Sequence, residues 1–399
     1  MNYVRPKRKI VDFDIFYLNN FPEGKRILTM PLSARTLTCF FSANQKIRTC
    51  FEPTPPLCIF WTPTPTPMTP RFSPTLALWL LFVFFCPVAN AQSGLFDSDE
   101  VLELVLEFDA KTFLADRGGN PVYHKAKVLW GKDRSIDVEI QARGRFRRDP
   151  LVCDWPPMKV NFPKKLTKDT PFEKQNVLKL VTRCKEQEAV IREYYIYKMY
   201  NLVSERSFRV RMLRITYRDA KGTRPDETGY AFFIEDDSDL AKRLGATVDD
   251  GDYNNEQMQR EQQTLVHVFN YMIANRDFDV ALRQNLEILK DNETGTPYAV
   301  PYDFDWSGLV EASYTAGLLD DKSMYEQRQR FKAICRNEAE IQAAIQRLRE
   351  VKPLIWKLYE SSTLLSKNEI DKTLNLLDSF YKRAGKKKFV LETFVDKCS

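Results

Sequence analysis

The chain has 399 residues, with 60 Lys/Arg against 54 Asp/Glu and only two histidines, His124 and His267. Ten of the basic and four of the acidic residues fall in 1–91, so the remainder is electrically neutral, which gives no electrostatic footing for nucleic acid. Neither histidine sits in a zinc spacing and a histidine-based triad lacks its parts, so acid–base chemistry must fall to carboxylates.

The first element in chain order is "LALWLLFVFFCPVANA" (76–91), an apolar run closed by Ala89-Asn90-Ala91, the small-x-small pattern that signal peptidase reads. Begun at Met68, with Arg71 as its basic flank, it reads as a secretory signal covering 68–91. It falls short of the roughly 20 apolar residues a membrane span needs. Residues 1–67, ending in "PTPTP", show little core pattern and are expected to be a spurious upstream extension or a disordered leader. The working protein is thus expected from residue 92, exported to a bacterial periplasm or exterior, with no stable membrane insertion after cleavage. Cys153, Cys184, Cys335 and Cys398 remain, compatible with two bridges or with four buried thiols. Cys153–Cys184 is the preferred pair because it ties neighbouring strands of one lobe.

Strand patterns come next. "VLELVLEF" (101–108), "KAKVLW" (125–130), "SIDVEIQARGRF" (135–146), "PPMKVNF" (156–162) and "NVLKLVTRC" (176–184) predict an antiparallel sheet with hairpin-like connections. "EAVIREYYIYKMYNLV" (188–203) predicts a helix, followed by two strands, "RVRMLRITYRD" and "TGYAFFIEDD". The acidic stretch "ATVDDGDYNN" (246–255) reads as a loop and "EQQTLVHVFNYMIAN" (261–275) as an amphipathic helix. Beyond about 323 the chain is helical: Pro353 should kink or end one helix, and Ser366 with Glu369 opens another in capping-box spacing, stopped at Gly385. A β-rich N-lobe (92–240) followed by an α-rich C-lobe (241–399) suggests an α+β two-lobed enzyme.

The informative block is "NRDFDVALRQNLEILKDNETGTPYAVPYDFDWSGLV" (275–310). It reads as a loop with Asp and Asn, a strand (Leu286 to Leu289), a turn, a second strand (Tyr298 to Tyr302), then an acidic stop. That is the layout of a phosphoryl-transfer site, in which a loop Asp orients the attacking hydroxyl while an Asn and a later Asp hold magnesium. The candidates are Asp277 or Asp279, then Asn285 and Asp303, with Asp305 beside them. Three other readings stand next to it. "DFDWSG" matches the first half of a calcium loop, although position twelve is Tyr314 rather than Glu. Asp-x-Asp also serves sugar-nucleotide transferases, and solvated aspartates can simply end a hairpin.

The block resembles the active-site region of the CotH-type atypical kinases of spore coats and, more distantly, of HipA-like kinases. "ARGRF", "MKVNF", "IREYYIYKMY" and "GYAFFIED" extend the resemblance over roughly 135–310. It implies a two-lobed protein-kinase-like fold using Mg2+ (or Mn2+) with ATP on a protein or polysaccharide acceptor. Asp277 would be the base, Asn285 and Asp303 the metal ligands, and Lys159 the phosphate-facing lysine, paired with Glu193. Arg143 would contact phosphate, and Glu235 would sit at the hinge between lobes. The spacing departs from the kinase loop, where Asn follows the catalytic Asp by five: Asp277 to Asn285 is eight and Asp279 to Asn285 is six. The alternative is a catalytically inactive secreted protein of the same fold, acting in binding or envelope assembly.

Overall fold

Alternation of buried and exposed side chains builds residues 102–161 into strands. The computed structural model describes residues 26–32, 35–41, 47–51, 94–315 and 324–396. The expected signal segment 68–91, most of the expected leader and Cys398 lie outside the described residues. Strands β1 (Arg26–Leu32), β2 (Arg35–Phe41) and β3 (Ile47–Phe51) pair antiparallel in a sheet of their own, in a unit separate from the one that begins at Ala89.

In the second unit, β4 (Leu102–Phe108) is followed by α1 (Ala110–Ala115), β5 (His124–Trp130), β6 (Arg134–Ala142), β7 (Met158–Asn161) and β8 (Val177–Val181). After α2 (Gln187–Val203) come β9 (Val210–Asp219) and β10 (Glu227–Ile234). The strands close in the order β10-β8-β7-β6-β5-β4-β9. This corrects the expected antiparallel sheet: the first lobe is a seven-stranded barrel, closed by β4 lying parallel to β9, with Leu102 opposite Leu213 and Phe108 opposite Asp219. Alternation reveals which face of a strand is buried but not which edges join, and closure leaves no strand edge unpaired. Leu104, Leu106, Val138, Ile140, Met158, Val160, Leu178 and Leu180 point inward along successive strands. Rings fill the interior, with Phe162 stacked on Phe172 at 4.7 Å and Trp155 on Tyr217 at 4.6 Å.

Helix α2 buries residues on every side, from Ala189 and Val190 through Tyr200 and Val203, as a helix packed into an interior must. It packs on β9 and β10 of the barrel and on α6 of the helical half. Then follow α3 (Asp237–Arg243), β11 (Ala246–Val248), α4 (Arg260–Met272), β12 (Leu286–Asp291) and β13 (Pro297–Pro301). Residues 246–248 are a strand paired with β12, not the expected loop. The helical half ends with α5 (Met324–Arg328), α6 (Glu338–Glu360), α7 (Lys367–Ala384) and α8 (Lys387–Val390). Pro353 lies inside α6, which continues to Glu360, so of the two expectations, a kink or an end, the helix does not end there. A proline forfeits one backbone bond, while Leu348, Val351, Ile355 and Tyr359 stay buried on either side of it and hold the helix to the core. The capping box of Ser366 and Glu369 forms, and α7 ends at Gly385. No helix of the described residues is long and apolar enough to cross a membrane.

A disulfide joins Cys153 to Cys184. It ties the long β6–β7 connection to the segment entering α2. Cys335 is also disulfide-bonded. Replacing Cys153 and Cys184 together by Ala should lower unfolding stability by about 2–4 kcal/mol, the usual worth of such a link. Chemical denaturation of the double variant checks this, and an unchanged midpoint would contradict it.

Candidate active site

The carboxyl end of α4 sets the first part of the site. Buried Asn275 folds back on the helix: its side-chain NH2 donates to Asn270 Oδ1 at 2.9 Å, and its Oδ1 accepts from the Asp277 N–H at 3.0 Å. Phe278 and Val280 are buried, which anchors the loop by its apolar residues. Asp279 and Gln284 bridge across the turn. Asp279 Oδ1 accepts the Leu282 N–H at 3.0 Å, and its Oδ2 takes the Lys332 ammonium at 2.8 Å. Burial raises the Asp279 carboxyl, but these bonds outweigh it and hold the group below its ordinary pKa. Asp277 differs: burial first, then the nearby charge of Asp303, pushes its carboxyl upward.

The β12–β13 hairpin brings the second part alongside. Leu286 opposite Pro301 fixes the register, and the Tyr302 N–H donates to the Asn285 carbonyl at 3.0 Å. Asn285 and Asp303 therefore flank the same end of the hairpin. Both have left-handed backbone, with φ of 54° and 58°, an uncommon conformation in which Asn and Asp are enriched. The Asp303 N–H donates to Tyr197 Oη at 2.7 Å, which ties this turn to α2. Asn285 Nδ2 donates to Asp277 Oδ2 at 2.8 Å and to the Asp277 carbonyl at 2.7 Å. Gln284 holds Asp277 Oδ1. Gly308 then lets the chain pass against Ala274 and Tyr325, since a Cβ there would stand 2.5 Å from Tyr325 Cα.

Behind Asp303 lies a cluster that sequence reasoning missed. Arg147, from the 3-10 turn Phe146–Arg148 in the β6–β7 connection, is 8% exposed. Its Nη2 donates to Asp303 Oδ1 at 2.8 Å, while Nε stands 3.4 Å from Asp305 Oδ2 and Nη1 3.9 Å from Glu193 Oε2. Glu193 is 1% exposed and Asp305 4%. Burial, followed by repulsion from neighbouring carboxylates, raises both: Asp305 to about 7 and Glu193 well above its ordinary value, although Arg147 works the other way. The signal in the sequence was the Arg143–Arg148 cluster, which shows basic residues near the site but not which one turns inward.

A cavity of about 710 Å³ joins these parts, lined by Asp277, Asn285, Asp303, Asp305, Arg143 and Arg147 among others. The remaining sequence candidates lie elsewhere. Lys159, on β7, is half-buried opposite Lys179 and Gln141 and does not line the cavity; Glu193 meets Arg147 instead of it, because alternation points Met158 and Val160 inward and leaves Lys159 on the barrel's outer side. Glu235 is buried and fully committed, accepting from Arg243 Nε at 2.9 Å, Arg243 Nη2 at 2.7 Å and the Arg209 N–H at 3.1 Å. It locks the exit of β10 and does not face the cavity. The lysine on the strand directly before α2 is Lys179, which pairs with Asp237 beneath the rings of Phe208 and Tyr302. "DFDWSG" is no calcium loop here: Asp305 faces Arg147, and Tyr314, in the twelfth position, donates its hydroxyl to Asp305 Oδ2 at 2.9 Å.

Among the described residues no three of His, Cys, Asp and Glu form a ready metal cage. The donors present nevertheless suit a hard divalent ion. Asn285 Oδ1 has no hydrogen bond among the described residues, and Asp303 offers a carboxylate, although Arg147 takes one of its oxygens. Magnesium is commonly held by one or two carboxylates plus phosphate oxygens and water.

No protein-family model matches the chain, and no curated protein matches it in sequence. Among solved structures it is similar to the proinflammatory kinase CtkA of Helicobacter pylori, at 9% identity and a TM-score of 0.34, over 57% of this chain and 94% of that one. It is also similar to hydra Fam20 with sugar, at 11% identity and 0.28, over 75% and 89%. Likeness at this level assigns no family.

The loop has a titratable prop. His267 of α4 is 2% exposed and bonds the Lys332 carbonyl at 2.7 Å, while Lys332 holds Asp279. Burial depresses His267 to about 4 from 6.5. The unfolded chain therefore takes up a proton below 6.5 that the folded chain resists, so stability is full above 6.5 and is lost as the pH falls toward 4. Unfolding measured across this range should show His267→Gln taking up about one proton fewer on unfolding than wild type; parallel pH profiles would contradict this.

Proposed function

We propose that the chain is an exported, kinase-like phosphotransferase that uses Mg2+ (or Mn2+) with ATP on a hydroxyl of a protein or polysaccharide acceptor. The observation that carries the reading is the meeting of Asp277, Asn285 and Asp303 in one cavity, with the Asn285 amide bonded to the Asp277 carboxylate. In this reading the barrel and α2 serve as the N-lobe and the remaining helices with the β11–β13 sheet as the C-lobe. The Cys153–Cys184 bridge fits an oxidising compartment.

Asp277 is the acceptor of the hydroxyl proton. Asn285 and Gln284 hold its two oxygens, which fixes the carboxylate plane before substrate arrives. Its raised pKa moves it toward the range where a general base works best near neutrality. Asn285 and Asp303 would hold the divalent ion, with Asp305 behind them, and the ion when bound supplies positive charge to the phosphate oxygens. Arg143, at the cavity wall, is placed for a further phosphate contact. Asp279 is a positioning residue, since its carboxylate closes the loop and holds Lys332.

A second reading, a secreted binding or assembly protein of the same architecture, is favoured by one observation: Asp303 already carries Arg147 as a partner. Nucleotide binding and turnover of the full chain separate the two. Wild type should bind ATP only with Mg2+ or Mn2+, and Asp303→Asn should abolish that binding. Asp277→Asn should keep nucleotide affinity and lower phosphate transfer by about 10²–10⁴-fold. A wild type that binds no nucleotide at any metal concentration would support the binding protein instead.

A further inference from the structure

The Arg147 arrangement has an unusual composition for a structural ion pair. One guanidinium serves three carboxylates, and Glu193 Oε1 is buried with no hydrogen-bond partner. Its best-made contact, at 2.8 Å, is to Asp303, the residue the proposed function gives to the metal. Arg147 also lines the cavity itself, so it borders the space a ligand there would fill. The connection that carries it turns at Gly144, whose φ of 79° suits glycine and whose missing Cβ would meet nothing within 4 Å. The conformation, not crowding, asks for glycine there.

We propose that Arg147 is a resident counter-ion that closes Asp303 to free divalent cations and is handed to a phosphate when a metal–nucleoside polyphosphate enters. This rests on the phosphotransferase reading for its second half only. A free divalent ion arriving at Asp303 meets a guanidinium held from behind by Glu193 and Asp305, with no anion to receive it. A polyphosphate brings that anion, and arginine's planar fork suits phosphate oxygens. The site thus discriminates against metal alone and favours metal and nucleotide together. Arg147 also supplies the cation that the sequence reading sought in Lys159.

Direct binding of free Mn2+, followed by electron paramagnetic resonance without nucleotide, tests this. Arg147→Gln should bind Mn2+ at least tenfold more tightly than wild type and Mn-ATP at least tenfold more weakly. Arg147→Lys keeps a charge but cannot span three carboxylates, so its Mn2+ affinity should rise at least threefold; it stands in should the Gln variant not fold. Arg145→Gln removes the same charge from an exposed residue of the same cavity and should change free Mn2+ binding less than threefold. Equal gains in the Arg145 and Arg147 variants would reduce the effect to net charge and overturn the proposal, as would no gain in either Arg147 variant. If Mn2+ binding rises in Arg147→Gln but wild type binds no nucleotide, the counter-ion stands and the phosphotransferase reading fails. If wild type binds Mn-ATP and both Arg147 variants match it throughout, the reverse holds.

Discussion

A guanidinium buried among three carboxylates is the constraint around which this molecule is arranged. Burial makes charge costly for Glu193 and Asp305 and pushes both carboxyls up, and Arg147 offsets part of that cost. Arg147 comes from the barrel, Glu193 from α2, and Asp303 and Asp305 from the end of the β12–β13 hairpin. Three separate pieces of chain must therefore be correctly placed for any one of these groups to be satisfied. Loss of one partner leaves the others uncompensated, so the cluster couples the barrel to the helical half.

The surrounding structure serves that placement. Helix α2 buries side chains on every side and carries Glu193 and Tyr197 into the interior. Tyr197 then receives the Asp303 N–H and fixes the left-handed turn at the end of the hairpin. The disulfide between Cys153 and Cys184 pins the connection bearing Arg147 to the entrance of the same helix. On the far side, Asn275, the Asp279–Gln284 bridge and Lys332 hold the loop that presents Asp277. The groups that line the cavity are thus oriented by backbone and burial.

Local pattern made several of these features legible in advance. The hairpin between Asn285 and Asp303 could be read because two short apolar runs are separated by a Gly-containing turn. α2 and α4 could be read from spacing, and Ser366 with Glu369 from capping chemistry. The barrel could not, because the β4–β9 pairing is parallel and joins residues about a hundred positions apart, which no local window contains. Lys159 could not be told from other strand lysines by type, and alternation shows only that it lies on the barrel's outer side, not that the cavity is lined elsewhere. Asp277 and Asp279 were indistinguishable by type, and it is the turn closed by Asp279 that separates them. Arg147 was one of four arginines in six residues, and its burial depends on contacts with segments more than forty and a hundred and fifty residues away.

Crystals of the full chain with Mn2+ and a non-hydrolysable ATP analogue, measured at the manganese absorption edge, locate the ion and the guanidinium together. The expected result is an anomalous peak bounded by Asn285 and Asp303, with the Arg147 head moved from Asp303 onto phosphate. Nucleotide bound elsewhere, or manganese at Asp303 with Arg147 still seated on the same oxygen, would contradict it.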